Sequence, residues 1–139
     1  MPFNLAILEQ DKTDKIIKQY PHPENYIAGH SLGAAMATNY VHKNPDKIKA
    51  TILLAGYPTE KIEKPLLSIY GTEDKILNQK QYIQSKKNIP TNYKKHIINR
   101  ANHAQYAYYT QQKDGQATIT RDTQINQTIE EIQKFIQEN

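Results

Sequence analysis

Residues Gly29-His30-Ser31-Leu32-Gly33 form the pattern G-x-S-x-G. A serine so placed becomes a nucleophile when the chain turns sharply from a strand into a helix. The turn pushes the hydroxyl out at the end of a sheet. The glycines Gly29 and Gly33 are expected where the strained turn and the incoming helix crowd the backbone. The helix N-terminus adds unpaired N–H groups and the positive end of a dipole, which makes Leu32 N–H an oxyanion donor. The flanking residues fit this geometry. Tyr26-Ile27-Ala28 reads as a short strand, and Gly33, Ala34 and Ala35 open a helix dense in small residues. The chemistry is attack of a serine oxygen on a carbonyl carbon.

The elements that must hold this turn follow from short apolar runs alternating with amphipathic stretches, the pattern of an α/β domain with a parallel sheet. A helix over 11–19 is capped by Asp11 or Thr13 and stopped by Pro21 and Pro23. A strand over 25–28 leads into a helix over 31–43, which Asn44-Pro45 ends. Strands follow at 48–55 and 65–70, a helix at 78–87 and a fourth strand at 93–99. A long polar loop spans 100–121. In the last helix, 122–137, Ile125, Ile129, Ile132 and Ile136 fall on one stripe, expected to pack on the sheet.

Three motifs together make the chain resemble the α/β-hydrolase superfamily: the glycine–serine turn, Leu67-Ser68-Ile69-Tyr70-Gly71-Thr72-Glu73-Asp74, and Asn102-His103-Ala104. The likeness is to its small lid-poor members of esterase or dienelactone-hydrolase type and covers essentially the whole chain. The order nucleophile, acid, histidine is kept. The resemblance implies a parallel-sheet α/β-hydrolase fold, a triad of Ser31, Asp74 and His103, and hydrolysis of an ester or related acyl bond through an acyl-enzyme.

The residues can be weighed beside that likeness. Asp74 lies just past an apolar strand, at the carboxyl edge where sites form in such sheets. Its bland alternative is a loop carboxylate capping the helix near Asn78, and Glu73 is the fallback acid. His103 occupies the loop where the family keeps its base. His22 is pinned between prolines, and His30 is inside the turn itself. His42 is about three helical turns beyond the serine, and His96 is within a strand. Tyr106, Tyr108 and Tyr109 either line a substrate cleft or pack their loop against the last helix. The gap 56–64 is too short for an inserted lid.

The same resemblance implies a truncated fold: about four C-terminal strands with flanking helices, so that residues 1–139 form a single partial domain. Residues 1–6 look like the segment after the family's fourth strand, which makes Met1 an internal methionine. A second oxyanion donor, normally from an earlier loop, would then lie outside this sequence. The strand at 26–28 would become an open edge, and such edges pair with something. A homodimer through that edge is expected. An alternative reading is a weak or inactive hydrolase fragment that serves as a binding module.

Composition excludes other classes. The chain has 139 residues, 37% of them hydrophobic and 23% charged, with a net charge of +4, and its mean hydropathy is −0.81. This is enough for one core. The lysines are scattered rather than clustered, so nucleic acid is not an expected partner. The absence of cysteine removes disulfides, thiolate metal sites and a cysteine nucleophile. No His, Asp and Glu cluster has metal-ligand spacing, and no cofactor is expected. No run reaches the ~18 apolar residues of a membrane span. The expected partner is a small ester or acyl substrate. The chain as given reads as cytoplasmic, and as secreted or anchored if a longer N-terminus exists.

Overall fold

The computed structural model describes residues 10–108 and 113–139. Helix α1 (Gln10–Gln19) carries Asp11 in its first turn and Lys18 in its last, matching the helix dipole. Strand β1 (Tyr26–His30) passes through Ser31 into helix α2 (Leu32–Lys43). Strands β2 (Ala50–Leu54) and β3 (Leu66–Gly71) follow, then a short helix α3 (Gln79–Gln84), strand β4 (Tyr93–Ile98) and the long helix α4 (Arg121–Glu138). The four strands form one parallel sheet in the order β1-β2-β3-β4.

Every crossover steps in the same direction across the sheet. A common hand for such crossovers places their helices on one face. Ala34 and Ala37 of α2 pack against Leu53 and Leu66 on that face, and Tyr82 of α3 reaches the same face, its hydroxyl 2.7 Å from Ser68 Oγ. Helix α4 covers the opposite face, where Phe135 joins Ala50, Ile52, Leu67, Ile69 and Ile98. With helices on both faces, β2 and β3 are buried almost throughout, which explains their near-continuous apolar runs.

The structure moves several expected boundaries. Strand β1 runs two residues further, to His30, because Gly29 and His30 pair with Leu53 and Leu54 of β2. Pairing overrides the weak strand preference of glycine. Helix α3 stops at Gln84 and tightens into a 3₁₀ turn, Ser85–Asn88, as Ser85 Oγ donates to Tyr82 O at 2.6 Å. Serine competes with the helical ladder in this way.

The stripe expected on the last helix is corrected. The sheet-facing residues of α4 are Gln124, Thr128 and Phe135, with Ile132 packed beside them. Ile129 and Ile136 are exposed. Gln124 turns the helix: its side-chain amide accepts from Asn102 N–H (3.2 Å) and donates to Asn102 O (2.9 Å). A buried amide that is satisfied at both ends determines which face turns inward.

Candidate active site

Ser31 alone joins β1 to α2, with φ 55° and ψ −117°. This is a positive-φ conformation that residues with a Cβ seldom adopt. Its backbone holds the strained turn from both sides. Ser31 N–H donates to Leu54 O, and Ser31 O accepts from Ala34 N–H, each at 3.0 Å. The Ser31 side chain does not cap its own helix. Leu32 N–H belongs to the first turn, whose N–H groups have no partner within a helix. Gly29 is required here, since a Cβ on it would meet the backbone carbonyl of Gly33. A Cβ on Gly33 would meet nothing, so the expected crowding at Gly33 is absent. The close helix–strand approach falls instead at Gly56, against the Ala34 side chain.

Asp74 and His103 come together from the ends of β3 and β4. His103 Nδ1–H donates to Asp74 Oδ2 at 2.8 Å, and both side chains are at most 2% exposed. A carboxylate only accepts, so this bond puts the proton of a neutral ring on Nδ1 and leaves Nε2 as the basic nitrogen. The other Asp74 oxygen, Oδ1, accepts from the backbone N–H groups of Ile76 (2.9 Å) and Leu77 (2.8 Å). The helix that follows is capped by Asn78, which accepts from Gln81 N–H at 3.0 Å. Asp74 is therefore not its cap. Glu73 is half-buried, and its side chain accepts from Thr72 Oγ1 at 3.4 Å.

The two loops that carry Asp74 and His103 are tied together. Glu73 N–H donates to Ala101 O at 2.8 Å, and Thr72 N–H to Ile98 O at 3.1 Å. On the other side of His103, His30 Nε2–H donates to its carbonyl at 2.9 Å. The two imidazole rings are 4.9 Å apart between centroids. Burial pushes the His30 pKa below its ordinary value, and the neighbouring His103 adds to this. The bond to the His103 carbonyl and the carboxylates of Asp74 and Asp114 pull the other way. Burial thus disfavours the charged form of His30 beside the candidate base.

Ser31 and His103 open onto one cavity of about 200 Å³. Its walls include Leu32 and Ala35 of α2, Tyr57 and Thr59 of the β2–β3 loop, and Ile76 and Leu77 after Asp74. Among the described residues no hydrogen bond joins Ser31 Oγ to the imidazole. Nor do any three His, Asp or Glu side chains gather to hold a metal ion among those residues.

Neither Tyr106 nor Tyr108 is on the wall of this cavity. The ring of Tyr106 lies against His30, with centroids 5.5 Å apart, and burial raises the tyrosine's pKa. Tyr108 is 78% exposed. Its hydroxyl reaches Asp122 Oδ1 at 3.4 Å, and the Arg121 guanidinium sits over its ring. Tyr109 lies outside the described residues. Sequence reasoning missed Tyr57 on the cavity wall, and it missed Asp114, which touches the backbone of His103.

The sequence profile of the alpha/beta hydrolase family matches residues 1–126. No protein of curated function matches the chain. Among solved structures it is similar to a predicted CIB-like hydrolase from Thermoplasma acidophilum (TM-score 0.64, 15% identity, covering 93% of this chain and 60% of that one). It is similar to an α/β-hydrolase enzyme from the metagenome of Mar Chica lagoon sediments in Morocco (0.67, 12%, 93% and 69%). Mouse alpha/beta hydrolase domain-containing protein 10 is a third (0.68, 11%, 93% and 68%). At these identities the likeness carries the fold alone. The chain spans 60% to 69% of the length of these three proteins.

Proposed function

The chain belongs to the α/β-hydrolase family, and from that premise we propose that it is a serine hydrolase acting on an ester or related acyl bond through Ser31, His103 and Asp74. The observation that carries this reading is the buried 2.8 Å bond from His103 Nδ1 to Asp74 Oδ2, on the wall of the cavity that Ser31 shares. In this reading, His103 Nε2 takes the Ser31 proton as Oγ attacks the carbonyl carbon. Asp74 keeps the ring oriented and stabilises the imidazolium. Leu32 N–H donates to the oxyanion. His103 then protonates the leaving group; water, deprotonated by the same nitrogen, attacks the acyl carbon, and the acid leaves as His103 returns the proton to Ser31 Oγ.

Residues 1–139 act in this reading as one partial hydrolase domain, with the open side of β1 available to pair with a second copy. A cavity of about 200 Å³ lies below the ~300–1,000 Å³ of sites for drug-sized ligands, so a short acyl group is the expected substrate part. A panel of p-nitrophenyl esters of rising acyl length tests this. The reading expects turnover greatest on the shortest esters. Cleavage of an aminoacyl anilide with no ester turned over would overturn the esterase version.

A second reading, a catalytically weak chain that serves as a binding module, rests on the absence of a Ser31–His103 hydrogen bond among the described residues. It expects no turnover on any member of the panel.

A further inference from the structure

The strongest unassigned feature is the carboxylate of Asp114. Its two oxygens accept from four backbone N–H groups. Oδ2 takes His103 and Ala104, each at 3.0 Å. Oδ1 takes Gly115 at 2.8 Å, with longer contacts to His103 (3.3 Å) and Lys75 (3.4 Å). Lys75 directly follows Asp74, so one carboxylate spans the loop of the acid and the loop of the base. The next residue reinforces the junction. A Cβ on Gly115 would collide with the Glu73 carbonyl, so that backbone is pressed onto the acid loop. The Gly115 carbonyl accepts from Asn102 Nδ2 at 3.0 Å, beside His103.

Bonds from N–H groups to a charged carboxylate are stronger than neutral ones. They also act on backbone, which sets where the two side chains start. We propose that Asp114 is a positioning residue, which locks the Asp74 and His103 loops in the register that forms the Asp74–His103 bond. Asp114 touches neither the cavity nor the reacting atoms. The inference rests on the triad reading for its effect on turnover, but its effect on the Asp74–His103 bond stands apart from activity.

The test uses the full chain with ¹⁵N-labelled histidine, comparing the parent with Asp114→Asn and Asp114→Ala. The first readout is the low-field proton resonance of His103 Nδ1–H, identified by its loss in His103→Gln. The second is kcat and KM on the best ester. The expected result is a resonance that is sharp in the parent, broadened in Asp114→Asn and absent in Asp114→Ala. Kcat should fall about 10–100-fold, the scale of a small misplacement of a catalytic group, while KM stays within about twofold.

If Asp114→Ala fails to fold by circular dichroism, Asp114→Asn decides by the same readouts. An unchanged resonance and kcat in a folded Asp114→Asn would overturn the inference, as would a parent with no such resonance. A parent that shows the resonance but turns over no ester contradicts the proposed function alone, and the resonance of the variants then decides the role of Asp114.

Discussion

At the scale of single residues, two histidines sit side by side with different hydrogen-bond partners. His103 is aimed at a carboxylate, whereas His30 is aimed at a carbonyl and its pKa is lowered by burial. This has a consequence for stability. The folded chain binds the His30 proton less readily than the unfolded chain, so falling pH favours unfolding. The contribution is fully present above the ordinary value of 6.5 and is lost as pH falls through the window just below it. Asp14 and Glu24, lowered by bonds to Lys47 and Lys49, act only below their ordinary 3.8 and 4.5. Thermal melts between about pH 7 and pH 5 therefore isolate the histidine region. We expect Tm to fall across that window and His30→Gln to flatten the slope. An equal slope in both chains would contradict the assignment.

Residue by residue, the nucleophile, acid and base candidates were legible because each sits in a local pattern: a serine between glycines, or a loop following an apolar strand. Asp114 and Tyr57 were not. Asp114-Gly115 is a visible turn signal, but nothing local says which distant N–H groups its carboxylate will serve. Tyr57 reaches the cavity only because the β2–β3 loop folds over α2.

At the scale of elements, packing decides what pattern alone leaves open. The isoleucine spacing in α4 is periodic, yet the inward face lies one residue round the helix, anchored by Gln124 and filled by Phe135. Phe135→Ala should cost about 3–5 kcal/mol, a large share of the ~5–15 kcal/mol of a typical domain. Ile136→Ala should cost under ~1 kcal/mol, since that side chain is 38% exposed. Urea titrations of both variants check the order, and a reversed order would restore the isoleucine stripe.

The turn at Ser31 gives a second contrast. Gly29→Ala drives a Cβ into the Gly33 carbonyl, whereas Gly33→Ala meets open space inside a helix. The first should lower Tm sharply. The second should leave it level or raise stability by up to ~1 kcal/mol, through helix propensity. Similar losses in both would mean that the glycines serve another purpose.

At the scale of the whole molecule, sheet order and helix placement follow from alternation of elements and crossover hand, so the parallel architecture was readable in outline. Strand ends were not, because they depend on the partner strand: His30 is a strand residue only because Leu54 lies beside it. Among the described residues β1 pairs with β2 alone, and Ala28 in its middle is exposed. An unpaired strand edge is a template for another chain. Light scattering over a concentration series should therefore show a monomer–dimer equilibrium. A monodisperse monomer at the highest concentration would count against pairing through β1. Among the described residues no helix is long and apolar enough to cross a membrane.

The central claim is that Ser31 is an activated nucleophile. Fluorophosphonate labelling read by intact mass tests it most directly, with Ser31→Ala and His103→Ala beside the parent chain. The account predicts one adduct on the parent, none on Ser31→Ala, and labelling of His103→Ala slowed by at least ~100-fold, as expected when a general base is lost. A folded parent that takes no adduct, or a Ser31→Ala chain that takes one, would contradict it.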